Sequence, residues 1–404
     1  MHTKIASPKK IHQALALLAI KQETPLSAYI YDLDALAQHA KSMVAVLPSN
    51  CQLFYAAKAN PEARVLATLA PIVHGFEAAS GGELTWLREQ LPKQPLIFGG
   101  PGKLDRELAQ AITYEVELLH VESLYELKRL QVIAADMNAQ VDILLRMNIP
   151  LGDIKKTKLA MGGTPTPFGL DESQLEQALA ILEQCPNLTL KGFHFHLMSH
   201  QLCRDNHLKL MALYFDTFQH WQKQYCLSIT HLNVGGGIGI NYTDLNDVFN
   251  WPLFCEELTQ LIAKKSMGST NIRFECGRFI SAACGYYCME VLDIKESYGE
   301  NFIVAKGGTH HFRTPAAQSH SHPFSIYSQD KRSAEVPFLQ NNQATIVGQL
   351  CTPKDILASH QAIKHVAVGD YIIFNQAGAY AWNISHQNFL MHDKPVFAFI
   401  ENGN

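Results

Sequence analysis

Eight short apolar runs, each followed by a loop and then by a segment with helical spacing, constrain this chain more than any other feature. The runs are Gln52–Ala57 (QLFYAA), Gly75–Ala78 (GFEA), Leu96–Phe98 (LIF), Glu117–Val121 (ELLHV), Val141–Met147 (VDILLRM), Lys191–His196 (KGFHFH), Thr230–Val234 (THLNV) and Asn271–Phe274 (NIRF). Amphipathic stretches lie between them, with Asp105, Ser123 and Asp171 placed where helix N-caps belong. Eight strands alternating with helices predict an α/β fold built on a (β/α)8 TIM barrel rather than a doubly wound sheet. Past Cys276 the texture changes to β-rich runs separated by Gly and Pro turns, such as Tyr286–Ile294 and Tyr371–Phe374. The predicted organisation is therefore a barrel domain over residues 32–280 and a mostly β domain made from residues 1–31 and 281–404. Ala28–Tyr31 would supply it with a strand, and Leu151–Pro167 reads as a long polar loop after strand five.

A formal net charge of −4 argues against a nucleic-acid surface, which needs a basic stripe. No apolar run approaches the ~20 residues that cross a bilayer. The N-terminal stretch through Lys21-Gln22-Glu23 reads as an amphipathic helix rather than a signal peptide. The nine cysteines form no CxxC pair and their number is odd, so neither a disulfide framework nor a structural zinc site is expected. A reducing, cytoplasmic setting fits that usage.

In a barrel of this kind the chemistry sits at the C-terminal ends of the strands. Lys58 follows strand one between small apolar residues, where a partly desolvated amine suits Schiff-base chemistry. His196 ends strand six, and alternation puts His194 on the same inward face. His194 reads as a satisfied core histidine. A metal would need further carboxylate or histidine ligands clustered with this pair; none is evident, and no metal is expected. Gly235, Gly236 and Gly237 follow strand seven, where backbone N–H groups can approach an anion unobstructed. Glu275 ends strand eight and is followed by Cys276, Gly277 and Arg278. An amine, a stacking ring, a phosphate cradle and a carboxylate with an arginine are what pyridoxal 5′-phosphate requires.

At these residues the chain resembles the fold-type III pyridoxal-phosphate decarboxylases of the diaminopimelate, ornithine and arginine decarboxylase family, from about residue 25 onward. Tyr55-Ala-Ala-Lys-Ala-Asn60 is similar to the Schiff-base lysine motif. Glu77-Ala-Ala-Ser-Gly-Gly-Glu83, with Ser80, is similar to the segment beside the cofactor. The resemblance implies an alanine racemase-like arrangement of barrel and β domain. It makes His196 the histidine stacked on the ring, and Ser199 and Gly235–Gly237 phosphate contacts. Glu275 becomes the partner of the pyridine nitrogen, with Gly277, Arg278 and Tyr380 as further phosphate-side residues. Gly348-Gln-Leu-Cys-Thr-Pro-Lys-Asp355 is similar to the loop whose cysteine, here Cys351, protonates the substrate carbon from the other subunit. A homodimer with shared active sites follows from that likeness.

Departures from the family pattern narrow the substrate. Thr352 stands where an acidic residue usually faces a distal ammonium, so a free distal ammonium is not expected. Pro167 replaces a lysine, which removes an expected partner for Asp355 across the dimer. Cys276 and Met198 replace a usual proline and glycine. Segments such as Ile97-Phe-Gly-Gly-Pro-Gly-Lys103 and Gly307-Gly-Thr-His-His-Phe-Arg313 resemble a narrower branch, the siderophore-pathway decarboxylases. Its citryl-diaminopropionate decarboxylase serves staphyloferrin B synthesis. The resemblance implies α-decarboxylation of a citryl-diaminopropionate or citryl-serine type conjugate. Arg313, His311, Thr352 and Asp355 would then contact substrate, with His310, His320 and His322 as further donors. Diaminopimelate or carboxynorspermidine decarboxylation, an amino-acid racemase, a metal-dependent barrel hydrolase and a non-catalytic homologue are the alternatives.

Overall fold

The computed structural model describes residues 8–21, 24–155, 159–328 and 336–401. The first seven residues and Gln22-Glu23 of the N-terminal stretch lie outside that description, as do positions 156–158 of the loop after strand five. The chain divides into two compact units, one of Ala37–Ile240 with Val248–Ile280, the other of Met1–Leu36, Asn241–Asp247 and Ser281–Asn404. Asn241–Asp247, inside the range 32–280, thus clusters with the β-rich residues.

The first unit holds a closed barrel of eight parallel strands: Cys51–Ala56, Gly75–Ala78, Leu96–Phe98, Leu118–Val121, Val141–Asn148, Leu188–His194, His231–Asn233 and Asn271–Cys276. Each pairs with the next, and the eighth closes on the first through Cys276 opposite Tyr55. The strands are almost uniformly apolar because both faces are covered, one by the barrel interior and one by helices. Ser123 caps helix Leu124–Asp136 by accepting the Glu126 N–H, and Asp171 caps the short turn Glu172–Gln174. Asp105, by contrast, is the first residue of helix Asp105–Thr113 and not its cap. The Glu107 carboxylate turns back to take the Leu104 N–H at 2.8 Å, so that end needs no capping side chain at residue 105.

Strand six departs most from its predicted bounds. It runs Leu188–His194 and leaves His196 beyond its end. Its pairing with strand five skips Lys191, passing from Ile143 opposite Leu190 to Leu144 opposite Gly192. A bulge of this kind resets the alternation of faces, which simple period-two counting does not anticipate. The loop after strand five is not wholly irregular either, since Leu159–Ala160 pairs antiparallel with Met198–Ser199.

The second unit is a sheet ordered Phe324–Tyr327, Tyr371–Phe374, Gly285–Ser297, Glu300–Ala305, Phe338–Val347, Ile356–Ala367. Ser27–Asp32 joins it, antiparallel to Gly285–Ser297 and parallel to Val396–Ile400. Helix Lys9–Lys21 lays Ile11 and Leu15 onto a core with Leu26, Ile30, Cys288 and Ile373. Its amphipathic pattern is therefore spent on packing, and Lys10 reaches the buried Asp32 at 2.5 Å. All nine cysteines are free thiols. No helix among the described residues is long and apolar enough to cross a membrane.

Candidate active site

Lys58 sits in a single helical turn, Ala57–Ala59, at the end of strand one. It is not the isolated amine its alanine neighbours suggest. Its Nζ lies 2.9 and 2.8 Å from the two oxygens of Glu77, at the end of strand two, while its side chain remains 40% exposed. Glu77 itself is buried. A carboxylate gripping the amine with both oxygens holds it in place more tightly than apolar packing would. Gly277 brings strand eight against this turn, where a Cβ would lie 2.7 Å from Ala59 Cβ.

Glu275 ends strand eight inside the barrel, 6% exposed. Burial, then the nearby Glu77 carboxylate, pushes its carboxyl up to about 7, against the pull of Lys58 and Arg146. Asn233 Nδ2 donates to its Oε1 at 2.7 Å. His120 Nδ1 lies 3.6 Å from Oε1, and His194 Nε2 the same distance from Oε2. His194 is therefore not a satisfied core histidine: it is buried, and among the described residues neither ring nitrogen has a hydrogen-bond partner. Burial holds both imidazoles well below their ordinary pKa, with Lys103 the next cause for His120 and His120 for His194. The clustering that the sequence does not reveal is present, because side-chain atoms of His120, His194 and Glu275 all lie within 4.8 Å of one another. These are residue types a divalent ion accepts.

The glycine loop leaves no room for side chains. Gly235 and Gly237 have φ of +65° and +79°, and a Cβ on Gly236 would overlap the Glu275 carbonyl oxygen. The Gly236 N–H donates to His196 Nδ1 at 3.2 Å, so a neutral His196 carries its proton on Nε2. Burial, then Arg146, keeps that imidazole well below its ordinary pKa. Ser199 lies in the Met198–Ser199 pairing, and Arg278 opens a short helix, half-buried. Ser80 Oγ accepts the Glu83 N–H at 3.2 Å and so caps helix Gly81–Gln90. An amine, a carboxyl with a raised pKa, a fixed imidazole and a cradle that a single Cβ would fill fit an aldehyde cofactor with a phosphate and a ring nitrogen.

The sequence offers no reading of His120, Asn233 and Arg146, and it shows Glu77 only as part of the segment beside the cofactor, with no role of its own. Arg146 binds Glu122 at 2.8 Å in a buried ion pair. Each is a polar residue within an otherwise apolar strand or at its end, which was the available signal.

The remaining predicted residues lie in the second unit. Cys351 is exposed, on the turn between Phe338–Val347 and Ile356–Ala367. Asp355 is buried and committed to that turn: its two oxygens take the N–H groups of Thr309 at 2.6 Å and Leu350 at 2.9 Å. Its predicted substrate contact gives way to this scaffolding task. Thr352 Oγ1 accepts the Lys354 N–H at 3.4 Å. His311 is likewise enclosed, Nδ1 against Tyr287 Oη at 3.0 Å and Nε2 against the Asp393 carbonyl at 2.9 Å. Burial, then His310, pushes its pKa down to about 3, so it is a neutral structural ring and not a free donor for a carboxylate. Arg313 is exposed, with its main chain fixed by Ser385 Oγ. Tyr380, half-buried, has a φ of +50° and its carbonyl takes the Thr314 hydroxyl.

Residues 33–282 match the family described as pyridoxal-dependent decarboxylase, pyridoxal binding domain. The chain is 42% identical over 381 residues, 94% of its length and 95% of the relative's, to the 2-[(L-alanin-3-ylcarbamoyl)methyl]-2-hydroxybutanedioate decarboxylase of Staphylococcus aureus. It is 26% identical to the diaminopimelate decarboxylase of Aquifex aeolicus, covering 94% of this chain and 87% of that one. The crystal structure of diaminopimelate decarboxylase from Helicobacter pylori, complexed with L-lysine, shares the fold with a TM-score of 0.80 at 23% identity, covering 96% and 94% of the two chains. Matched across most of its barrel by the family and across nearly its whole length by a relative, the chain belongs to the pyridoxal-dependent decarboxylases, with pyridoxal 5′-phosphate as its cofactor.

Proposed function

We propose that this decarboxylase removes the α-carboxyl of an amino acid whose distal amine already carries citrate, the citryl-diaminopropionate class, in the making of a carboxylate siderophore. The observation that carries the reading is the 42% identity to a decarboxylase named for that conjugate. Thr352 supports it, since a neutral hydroxyl offers no charge partner to the free distal ammonium of diaminopimelate or ornithine.

Bound in the barrel, the cofactor supplies an electron sink for the pair left behind when CO₂ departs. Lys58 holds its aldehyde, and Glu77 holds Lys58. Glu275 keeps a proton at the ring nitrogen, which makes the sink effective. His196, pinned through Nδ1 by Gly236, would pack against the ring and help to hold it. Gly235–Gly237, Ser199, Gly277 and Arg278 would receive the phosphate, and Ser80 supports this end of the barrel by capping its helix. Cys351, contributed by a second copy of the chain, delivers a proton to the α-carbon. The protein then works as a homodimer, in a reducing cytoplasm that keeps this thiol available. Arg313 takes a citrate carboxylate in a bidentate grip.

The test is CO₂ release by the purified chain with cofactor from citryl-diaminopropionate, O-citryl-serine, diaminopimelate and ornithine, run side by side. A citryl conjugate should be turned over fastest. Preference for diaminopimelate or ornithine overturns the substrate assignment.

A further inference from the structure

Asn233 ends strand seven, just before Val234 and the three glycines, and is 0% exposed. The chemistry of its neighbours fixes which way its amide points. A backbone N–H can only donate, so the atom 2.9 Å from Gly235 N is Oδ1. The amide nitrogen therefore faces Glu275, donating to Oε1 at 2.7 Å. Its second hydrogen faces His120 Nε2 at 3.5 Å. A ring nitrogen that receives a hydrogen carries the lone pair, so neutral His120 keeps its proton on Nδ1, the atom 3.6 Å from the same carboxylate oxygen. The main chains are joined as well, with Glu275 N–H donating to the Gly235 carbonyl at 2.8 Å.

One amide thus reads the glycine loop with its oxygen and the strand-eight carboxylate with its nitrogen. We propose that Asn233 is a positioning residue that ties the Glu275 carboxylate to the anion-binding loop, so that the ring-nitrogen and phosphate ends of the cofactor are held in one fixed relation. The inference rests on the reading that Gly235–Gly237 receive the phosphate and Glu275 the ring nitrogen. It is independent of which amino acid is decarboxylated. His120 and His194 flank the carboxylate at 3.6 Å from its two oxygens, and Asn233 lies closer, at hydrogen-bond distance from Oε1.

The experiment titrates the full chain, stripped of cofactor, with pyridoxal 5′-phosphate and with pyridoxal, and records melting temperature in parallel. Asn233→Asp keeps an acceptor for the Gly235 N–H and removes the donor to Glu275. It should weaken both ligands by about 10- to 100-fold, the cost of one buried hydrogen bond to a charged group, and leave their affinity ratio unchanged. Asn233→Ala should also narrow that ratio, because the loop loses its tether. In a Glu275→Gln background Asn233→Asp should add little, since the effect of that variant runs through Glu275. Additive losses overturn the proposal, as does wild-type affinity in both Asn233 variants while Glu275→Gln is impaired. Wild-type affinity in Glu275→Gln brings down the Glu275 assignment and the proposal together. If Asn233→Ala does not fold, Asn233→Asp alone decides between these outcomes.

Discussion

In the barrel, His120, His194, Asn233 and Glu275 come from four different strands and are all sealed from solvent. In the β-rich unit, Cys351 and Arg313 are exposed, one on a turn and the other at the start of the short helix Thr314–Gln318, with the main chains there held by Asp355 and Ser385. Strand ends fix side chains whether or not a ligand is present, because the barrel's hydrogen bonds set their spacing. Turns fix only the backbone and leave reactive tips free to meet substrate. Cofactor binding should accordingly belong to the barrel alone, and turnover should depend on both regions.

Lys58→Ala gives the largest expected effect. It should abolish the absorption near ~420 nm of the lysine-bound cofactor aldehyde and reduce activity to background. Survival of that band in the purified variant would remove the lysine assignment. Cys351→Ala should separate the regions most sharply, with a wild-type cofactor spectrum but turnover down by roughly 10²- to 10⁴-fold, the range of a lost general acid, and misprotonated products. Unchanged turnover would mean that the barrel suffices.

Glu275→Gln tests the barrel through pH. A carboxyl whose pKa is higher in the folded than in the unfolded chain favours folding while it is protonated. Its contribution is complete below the unfolded value of ~4.3 and is lost as pH rises through about 7. The melting temperature of the cofactor-free wild type, measured against the Gln variant, should therefore decline from acid to neutral pH. A constant difference across that range contradicts the raised carboxyl. Arg313→Ala should have the smallest effect, raising KM for a citryl substrate roughly tenfold while leaving kcat and the cofactor spectrum alone. A changed spectrum would place Arg313 in cofactor binding instead.

The same contrast governs what the sequence could reveal. Barrel strands were legible because runs such as Leu96–Phe98 and Gly75–Ala78 are buried on both faces and bounded by turn residues. His196 was legible as a residue but not as a position, since the bulge at Lys191 depends on a neighbouring strand that local spacing does not encode. Lys58 announced itself, but its grip on Glu77 spans two strands and needed the closed barrel. His120 and Asn233 each look like a lone polar residue in an apolar run, and only the closed barrel shows that both face Glu275. In the β-rich unit, His311 and Asp355 stood in motifs that suggested substrate contact. Their burial against Asp393 and Thr309 is a long-range fact.

Strand Ser27–Asp32 also bears on how such a chain is made. Its two neighbours, Gly285–Ser297 and Val396–Ile400, emerge from the ribosome only after the whole barrel has been synthesised. Until then an apolar strand with both edges open must wait, a template for pairing with other nascent chains. The last strand to appear releases the first from that exposure, so removing Val396–Ile400 should harm yield and solubility out of proportion to its five residues.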